Sequence, residues 1–309
     1  MINFRYHVVS LTAVFLALAI GLVVGTAALN SPLSDELNDR VRALTQQNDY
    51  YRAQVNQLED DAGKQEQYAT ESAPFVLHNQ LTGRRILVVS MQATAPYVDN
   101  VLQMLALAGA KVTGQVEIED RFTDPANSET LLDLAHTTLP PNLANVPVNS
   151  DGVETASFLL ASVLADHTPA IPAEASQTVL TAFTEGRFIV LNKPVTGPAE
   201  GVIVLAAQPY TDREADGKNT NMVTMATQFD NVSRLVVAAN GAAGSGNVVA
   251  SLRGDPTLSK TISTVDYLAT PQGKVALVLA MAEQINNPNK AGHYGRDAGA
   301  TSLLPKLPT

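Results

Sequence analysis

From Val8 to Leu29 the chain runs 22 residues without a charge, and only Ser10, Thr12 and Thr26 are polar. About 20 apolar residues suffice for a helix to cross the hydrocarbon of a bilayer, so this stretch constrains the chain more than any other. A cleaved secretory signal is the competing reading, because Arg5 supplies a basic flank and Gly25-Thr26-Ala27 offers small residues for cleavage. The apolar region of a signal is usually about 7–15 residues, which favours a retained anchor within residues 1–30. Orientation is less constrained: Arg5 and the α-amine on one flank face Arg40 and Arg42 on the other. A short N-terminal tail and a long following domain place the residues after Asn30 outside the cytoplasm.

Within the span, Ala13, Ala17, Gly21 and Gly25 recur every four residues, a small-residue face on which a second helix can approach closely. Directly after it, Leu37, Val41, Leu44, Asn48, Tyr51, Val55, Leu58 and Ala62 follow alternating steps of four and three, the 3.5-residue period of a coiled-coil seam. Leu37, Leu44, Tyr51 and Leu58 take the d positions, and Val41, Asn48, Val55 and Ala62 the a positions. A polar Asn at an a position is best tolerated in a parallel dimer, where the two copies bond across the axis. The expectation is a coiled-coil stalk over 31–70 in a parallel homodimer. The competing reading is an amphipathic helix lying on its own domain, supported by the thinly charged flanking positions.

From about Arg84 the pattern changes. Short β-branched runs at Arg85–Met91, Lys111–Ile118, Arg187–Leu191, Gly201–Ala207 and Arg234–Ala239 read as strands. Helical stretches alternate with them at Tyr97–Ala108, Ser128–Thr137, Glu154–Asp166, Glu174–Glu185, Asn221–Asn231 and Gln272–Asn286. Thr270 and Pro271 offer an N-cap and an N1 proline for the last, although Val275–Ala280 is apolar enough for a strand. Asn142–Ser150 and Gln208–Thr220 read as loops. Apolar strands separated by helices imply a mainly parallel sheet covered on both faces. The expected fold is therefore α/β: an N-terminal transmembrane helix and short coiled coil, then a Rossmann-like domain over 71–290 and a glycine-rich tail over 291–309.

The chemistry-bearing residues are sparse. Cysteine is absent, removing disulfides, thiolate metal sites and thiol catalysis together. A net charge of -10 and no basic stripe argue against a nucleic-acid partner. No strand leads into a phosphate-binding glycine fingerprint; Gly241-Ala-Ala-Gly244-Ser-Gly246 has the wrong spacing and reads as a flexible turn. The imidazoles His7, His78, His136, His167 and His293 form no pair at helical ligand spacing. Met222 and Met225, three apart on a helix, are thioethers able to ligate Cu(I), but that spacing is commoner in a core. His293 lies in Gly292-His-Tyr-Gly295-Arg-Asp-Ala-Gly299, the densest group of functional side chains in a loop, and is the remaining metal candidate. Nucleophile, base and orienter cannot be assembled from spacing, so no catalytic residue is expected and the chain reads as non-enzymatic.

The opening Met1-Ile-Asn-Phe-Arg5-Tyr-His7-Val-Val-Ser10-Leu, the span with Gly25, the stalk, Ser263-Thr-Val-Asp266 and the Gly292-His-Tyr-Gly295 segment running to Leu303-Leu-Pro305 resemble the mycobacterial copper transport family, called MctB-like. A branch of corynebacterial cell-separation proteins, SteB-like, looks similar. The resemblance implies an actinobacterial envelope location and copper transport or homeostasis, with outer-membrane and channel behaviour. The second branch implies instead a scaffold that meets an envelope or division partner in cell-wall remodelling. Copper enters by resemblance alone. One spanning helix cannot enclose a pore, and no series of alternating strands suited to a membrane barrel is visible.

Overall fold

A computed structural model describes residues 4–29, 32–141, 143–149, 151–206, 208–244, 246–288 and 290–306. The expected strand end at Ala207, the loop limits Asn142 and Ser150, the turn residue Ser245 and the anchor boundary at Asn30 and Ser31 lie outside the described residues. The chain divides into two compact units, one up to Lys64 and one from Gln65 onward.

The first unit is helical. Helix α1 spans Phe4–Leu29 and is long and apolar enough to cross a membrane. Every side chain from Phe4 to Ala27 is exposed. The Thr12 and Thr26 hydroxyls donate back to the carbonyls of Val8 and Leu22, which satisfies them within the helix. Helix α2 covers Pro32–Leu77, and its side chains are exposed from Asp35 through Tyr68. The large seam residues face outward, from 51% exposed at Val55 to 68% at Leu58. Polar pairs such as Arg40 with Glu36 and Lys64 with Asp60 hold the polar surface one turn apart.

The second unit begins within α2, whose last turns bury Ala69, Ala73 and Leu77. In chain order it then contains β1 (Arg85–Met91), α3 (Ala95–Leu107), β2 (Lys111–Ile118), a four-residue α4 (Asp120–Thr123), α5 (Ser128–Thr138), α6 (Gly152–Leu164), α7 (Ala173–Glu185), β3 (Ile189–Lys193) and β4 (Gly201–Leu205). After these come α8 (Ala215–Asp230), β5 (Arg234–Ala238), α9 (Val248–Gly254), β6 (Ser263–Val265), α10 (Pro271–Asn286) and β7 (His293–Tyr294). The sheet order is β3-β2-β1-β4-β5-β6-β7, with only the edge strand β3 antiparallel. This is a Rossmann-like arrangement with its crossover point between β1 and β4.

Strand periodicity divides the core. Leu87, Val89 and Met91 of β1, Val202 and Val204 of β4, and Leu235 and Val237 of β5 join one cluster beneath α5 to α9. Their neighbours Ile86, Val88, Ile203, Leu205, Val236 and Ala238 join the other, covered by α3, α10 and the end of α2. Adjacent strand residues point to opposite faces, so a sheet covered twice requires continuous apolar runs. This open, mainly parallel sheet is not a membrane barrel, whose strands are antiparallel and face lipid.

Several expectations are corrected. The loop expected through Thr220 ends early, because Ala215-Asp-Gly-Lys-Asn-Thr already forms the first turns of α8. Its polar sequence with Gly217 carries little helical signal. The expected Val275–Ala280 alternative resolves as helix: Thr270 caps α10 by accepting from the Gly273 amide, and Pro271 sits at N1. Strands β6 and β7 and helix α9 were not anticipated. The segment expected as a glycine-rich tail after 290 supplies β7, paired to β6 through Thr264 with His293 and Val265 with Tyr294.

Candidate functional site

Parallel α/β sheets usually bind ligands beyond the carboxyl ends of their strands, at the crossover point, and the carboxyl ends of β5, β6 and β7 form one edge of that side of the sheet. Here that edge is occupied by the chain itself. Arg253 of α9 and Asp266 beyond β6 have side chains 4% and 1% exposed and pair at 2.8 Å. The Asp266 carboxylate also accepts from the Arg296 and Asp297 amides at 2.8 and 3.1 Å. Arg253 donates through Nε to the Thr264 hydroxyl at 2.9 Å, and to the Ala298 and Tyr294 carbonyls, each at 3.1 Å. A buried ion pair whose remaining donors and acceptors are filled holds structure rather than awaiting substrate. Gly295 makes it possible: at φ +150° a Cβ there would lie 2.0 Å from the Asp266 carboxylate.

His293 belongs to the same clasp. The Ser259 carbonyl can only accept, so His293 carries its hydrogen on Nε2 and donates at 2.9 Å. Nδ1 then accepts from the Thr264 hydroxyl at 2.9 Å, the same oxygen that receives Arg253 Nε. Burial pushes the His293 imidazole below its ordinary value, and the Arg253 charge acts in the same direction. The adjacent Tyr294 hydroxyl donates to the Glu283 carboxylate. Burial, followed by that carboxylate, raises this phenol well above its usual range. Tyr267, whose hydroxyl donates to the Leu303 carbonyl, is pushed up to about 12, chiefly by burial.

The metal candidates are therefore not brought together. Both ring nitrogens of His293 are engaged. Met222 and Met225 are 2% and 0% exposed within the core cluster under α8, where their thioethers fill space. Among the described residues no group of three or more His, Cys, Asp or Glu side chains could hold a metal ion. The structure therefore does not join His293 with Met222 and Met225. The turn Gly241–Gly246 is tied down through its own backbone: Asn247 donates to the Gly241 carbonyl and caps α9, and Asp297 accepts from the Ala242 amide.

The recessed space lies elsewhere, beyond the amino ends of the strands. A cleft of about 730 Å³ is walled by the loop before α6, by Glu154 and Phe158 of α6, by Asp166 and His167 after it, and by Gln228 and Asn231 at the end of α8. Two smaller hollows, of about 380 and 270 Å³, also border Asp166. Arg85 neutralises Asp166 with two donors at 2.9 and 2.7 Å. Glu154 accepts instead from uncharged amides, Asn149 at 2.6 Å and Gln228 at 3.4 Å. His167 donates from Nδ1 to the Pro169 carbonyl at 2.9 Å, which sets the tautomer and leaves Nε2 as an acceptor. Sequence reading counted His167 but gave it no role. Its neighbours come from two helices and a loop far apart in the chain, so no spacing could have joined them.

Comparison with known proteins places these features in a family. The family model described as "Copper transport outer membrane protein, MctB" matches residues 1–305. Proteins named copper transporter MctB from Mycobacterium bovis and Mycobacterium tuberculosis are each 27% identical over 311 residues, covering 98% of this chain and 99% of theirs. The protein of that name from Mycobacterium leprae is 27% identical over 315 residues, with the same coverage.

Proposed function

This chain belongs to the copper transport outer membrane protein family, MctB, and on that premise we propose that it is a membrane-anchored envelope protein serving copper transport or homeostasis. The observation that carries the proposal is the extent of the match, which begins at residue 1 and so includes the exposed apolar helix α1. In this reading α1 is a single-pass anchor and the chain beyond it stands outside the cytoplasm. The seam Leu37 to Ala62 then pairs with a second copy in parallel, and the small-residue face of α1 assists. In this reading copper is cargo rather than a resident cofactor. One helix per chain encloses no aqueous path, so movement of copper across a membrane requires an assembly of several chains or a partner.

A second reading is favoured by the outward-facing seam: a non-enzymatic scaffold whose coiled coil recruits a partner in cell separation or cell-wall remodelling. Deleting the gene in its host separates the two. Growth inhibition by copper, relieved by the full chain, with normal separation of daughter cells, supports copper handling. Chained cells at ordinary copper, with unchanged copper tolerance, support the scaffold and contradict the first reading.

A further inference from the structure

We infer that the cleft between α6 and α8 binds an uncharged, hydroxyl-rich ligand, a saccharide unit of about two rings. The lining argues this by charge first. Among the described residues no Lys or Arg borders the cleft. The charge of Asp166 is cancelled by Arg85, whereas Glu154 is held by two amides and takes part in no ion pair among the described residues. An anionic ligand would face an uncompensated carboxylate with no cation to receive it. A strongly cationic ligand would meet only that single free charge among mostly neutral groups.

Hydrogen-bonding capacity points the same way. Asn145 and Asn231 present carboxamides, each both donor and acceptor, Asn149 and Gln228 keep a second N–H beyond the one each gives Glu154, and His167 Nε2 adds an acceptor. A sugar hydroxyl is likewise donor and acceptor at once, so vicinal hydroxyls satisfy such a lining without any charge. Val148, Val232 and Phe158 supply apolar surface for the C–H face of a ring. At about 730 Å³ the space suits a small organic molecule and is far larger than a metal ion needs. Metal is disfavoured too because His167, Glu154 and the already paired Asp166 form no metal-holding group among the described residues. The proposal rests on the cleft alone and is independent of the copper reading.

The test uses the full chain in a detergent without a sugar headgroup, titrated with cellobiose, maltose and di-N-acetylchitobiose by saturation-transfer NMR and calorimetry. Glucuronic acid, spermidine and Cu(II) are the comparison ligands. The expected result is saturable binding of at least one neutral disaccharide, with glucuronic acid weaker. Asn231→Ala and His167→Ala should each weaken it about tenfold, roughly the loss of one hydrogen bond within a polar site. Lys64→Ala, remote in sequence and in the other unit, should leave it unchanged. Asn149→Ala substitutes for either cleft variant whose melting temperature shows it misfolded. Three results would overturn the proposal: no disaccharide binds, spermidine or Cu(II) saturates the cleft while sugars do not, or sugar binding ignores all the cleft substitutions.

Discussion

The two units of this chain treat apolar side chains in opposite ways. Up to Lys64 they point outward: all of α1 from Phe4 to Ala27 is exposed, and so is every described seam residue of α2. From Gln65 onward they point inward, into two clusters that cover the sheet on both faces. Outward apolar surface on this scale is the kind that lipid or another chain covers, and the proposal assigns it to both. Inward surface is covered by the chain's own helices, and the Arg253–Asp266 clasp ties down one edge of the sheet. Damage to the first unit should therefore change where the protein is and what it joins, and damage to the second should change whether it folds.

The largest expected effect is the loss of the anchor. Removing residues 1–30 should move the protein from the membrane fraction to the soluble one without altering the melting of the α/β domain. Leu16→Arg should act in the same direction, since a cation at mid-span costs about 2.5–3.5 kcal/mol on insertion scales. Next is the clasp. Arg253→Ala leaves Asp266 buried and unpaired, and should cost about 3–5 kcal/mol by denaturant unfolding while membrane retention is preserved. Gly295→Ala should match it, because the new Cβ occupies the carboxylate's place.

The seam comes third. Leu44→Asp combined with Leu58→Asp should turn a detergent-solubilised dimer into a monomer by light scattering, with domain melting unchanged. A dimer that survives both substitutions would erase the contrast between the units. The smallest effect is that of pH. The folded His293 imidazole sits below its unfolded value of 6.5, so its contribution to stability is complete above that value and lost as pH falls through the folded one. The melting temperature should therefore fall between about pH 7 and pH 5, and His293→Gln should flatten part of that slope.

The parts of the fold legible in the sequence are those with a long physical period. The uncharged run at Val8–Leu29 and the apolar runs of β1, β2, β4 and β5 each carry enough repeats to read. Strands β6 and β7 are three and two residues long, Ser-Thr-Val and His-Tyr, too short for any periodicity. They join the sheet through parallel backbone pairing of β5 with β6 and of β6 with β7, to which Arg253, from α9, adds bonds to the Thr264 hydroxyl and the Tyr294 carbonyl. The loop Gly292–Gly299 stands out in the sequence for its density of functional side chains, and in the structure its residues are bonded within the chain. Arg253 and Asp266, which explain it, lie 13 residues apart across a turn and a strand. The cleft at His167 was illegible for the same reason: Glu154, His167 and Asn231 meet only after α6 and α8 pack.

The measurement that tests the account most directly is copper tolerance in a strain lacking the gene. It would be complemented either with the full chain or with residues 31–309 exported behind a cleavable signal. The account predicts that the full chain restores growth in copper and the unanchored chain does not, although both fold. Equal restoration by the unanchored chain would contradict it, because the outward-facing first helix would then have no part in the function.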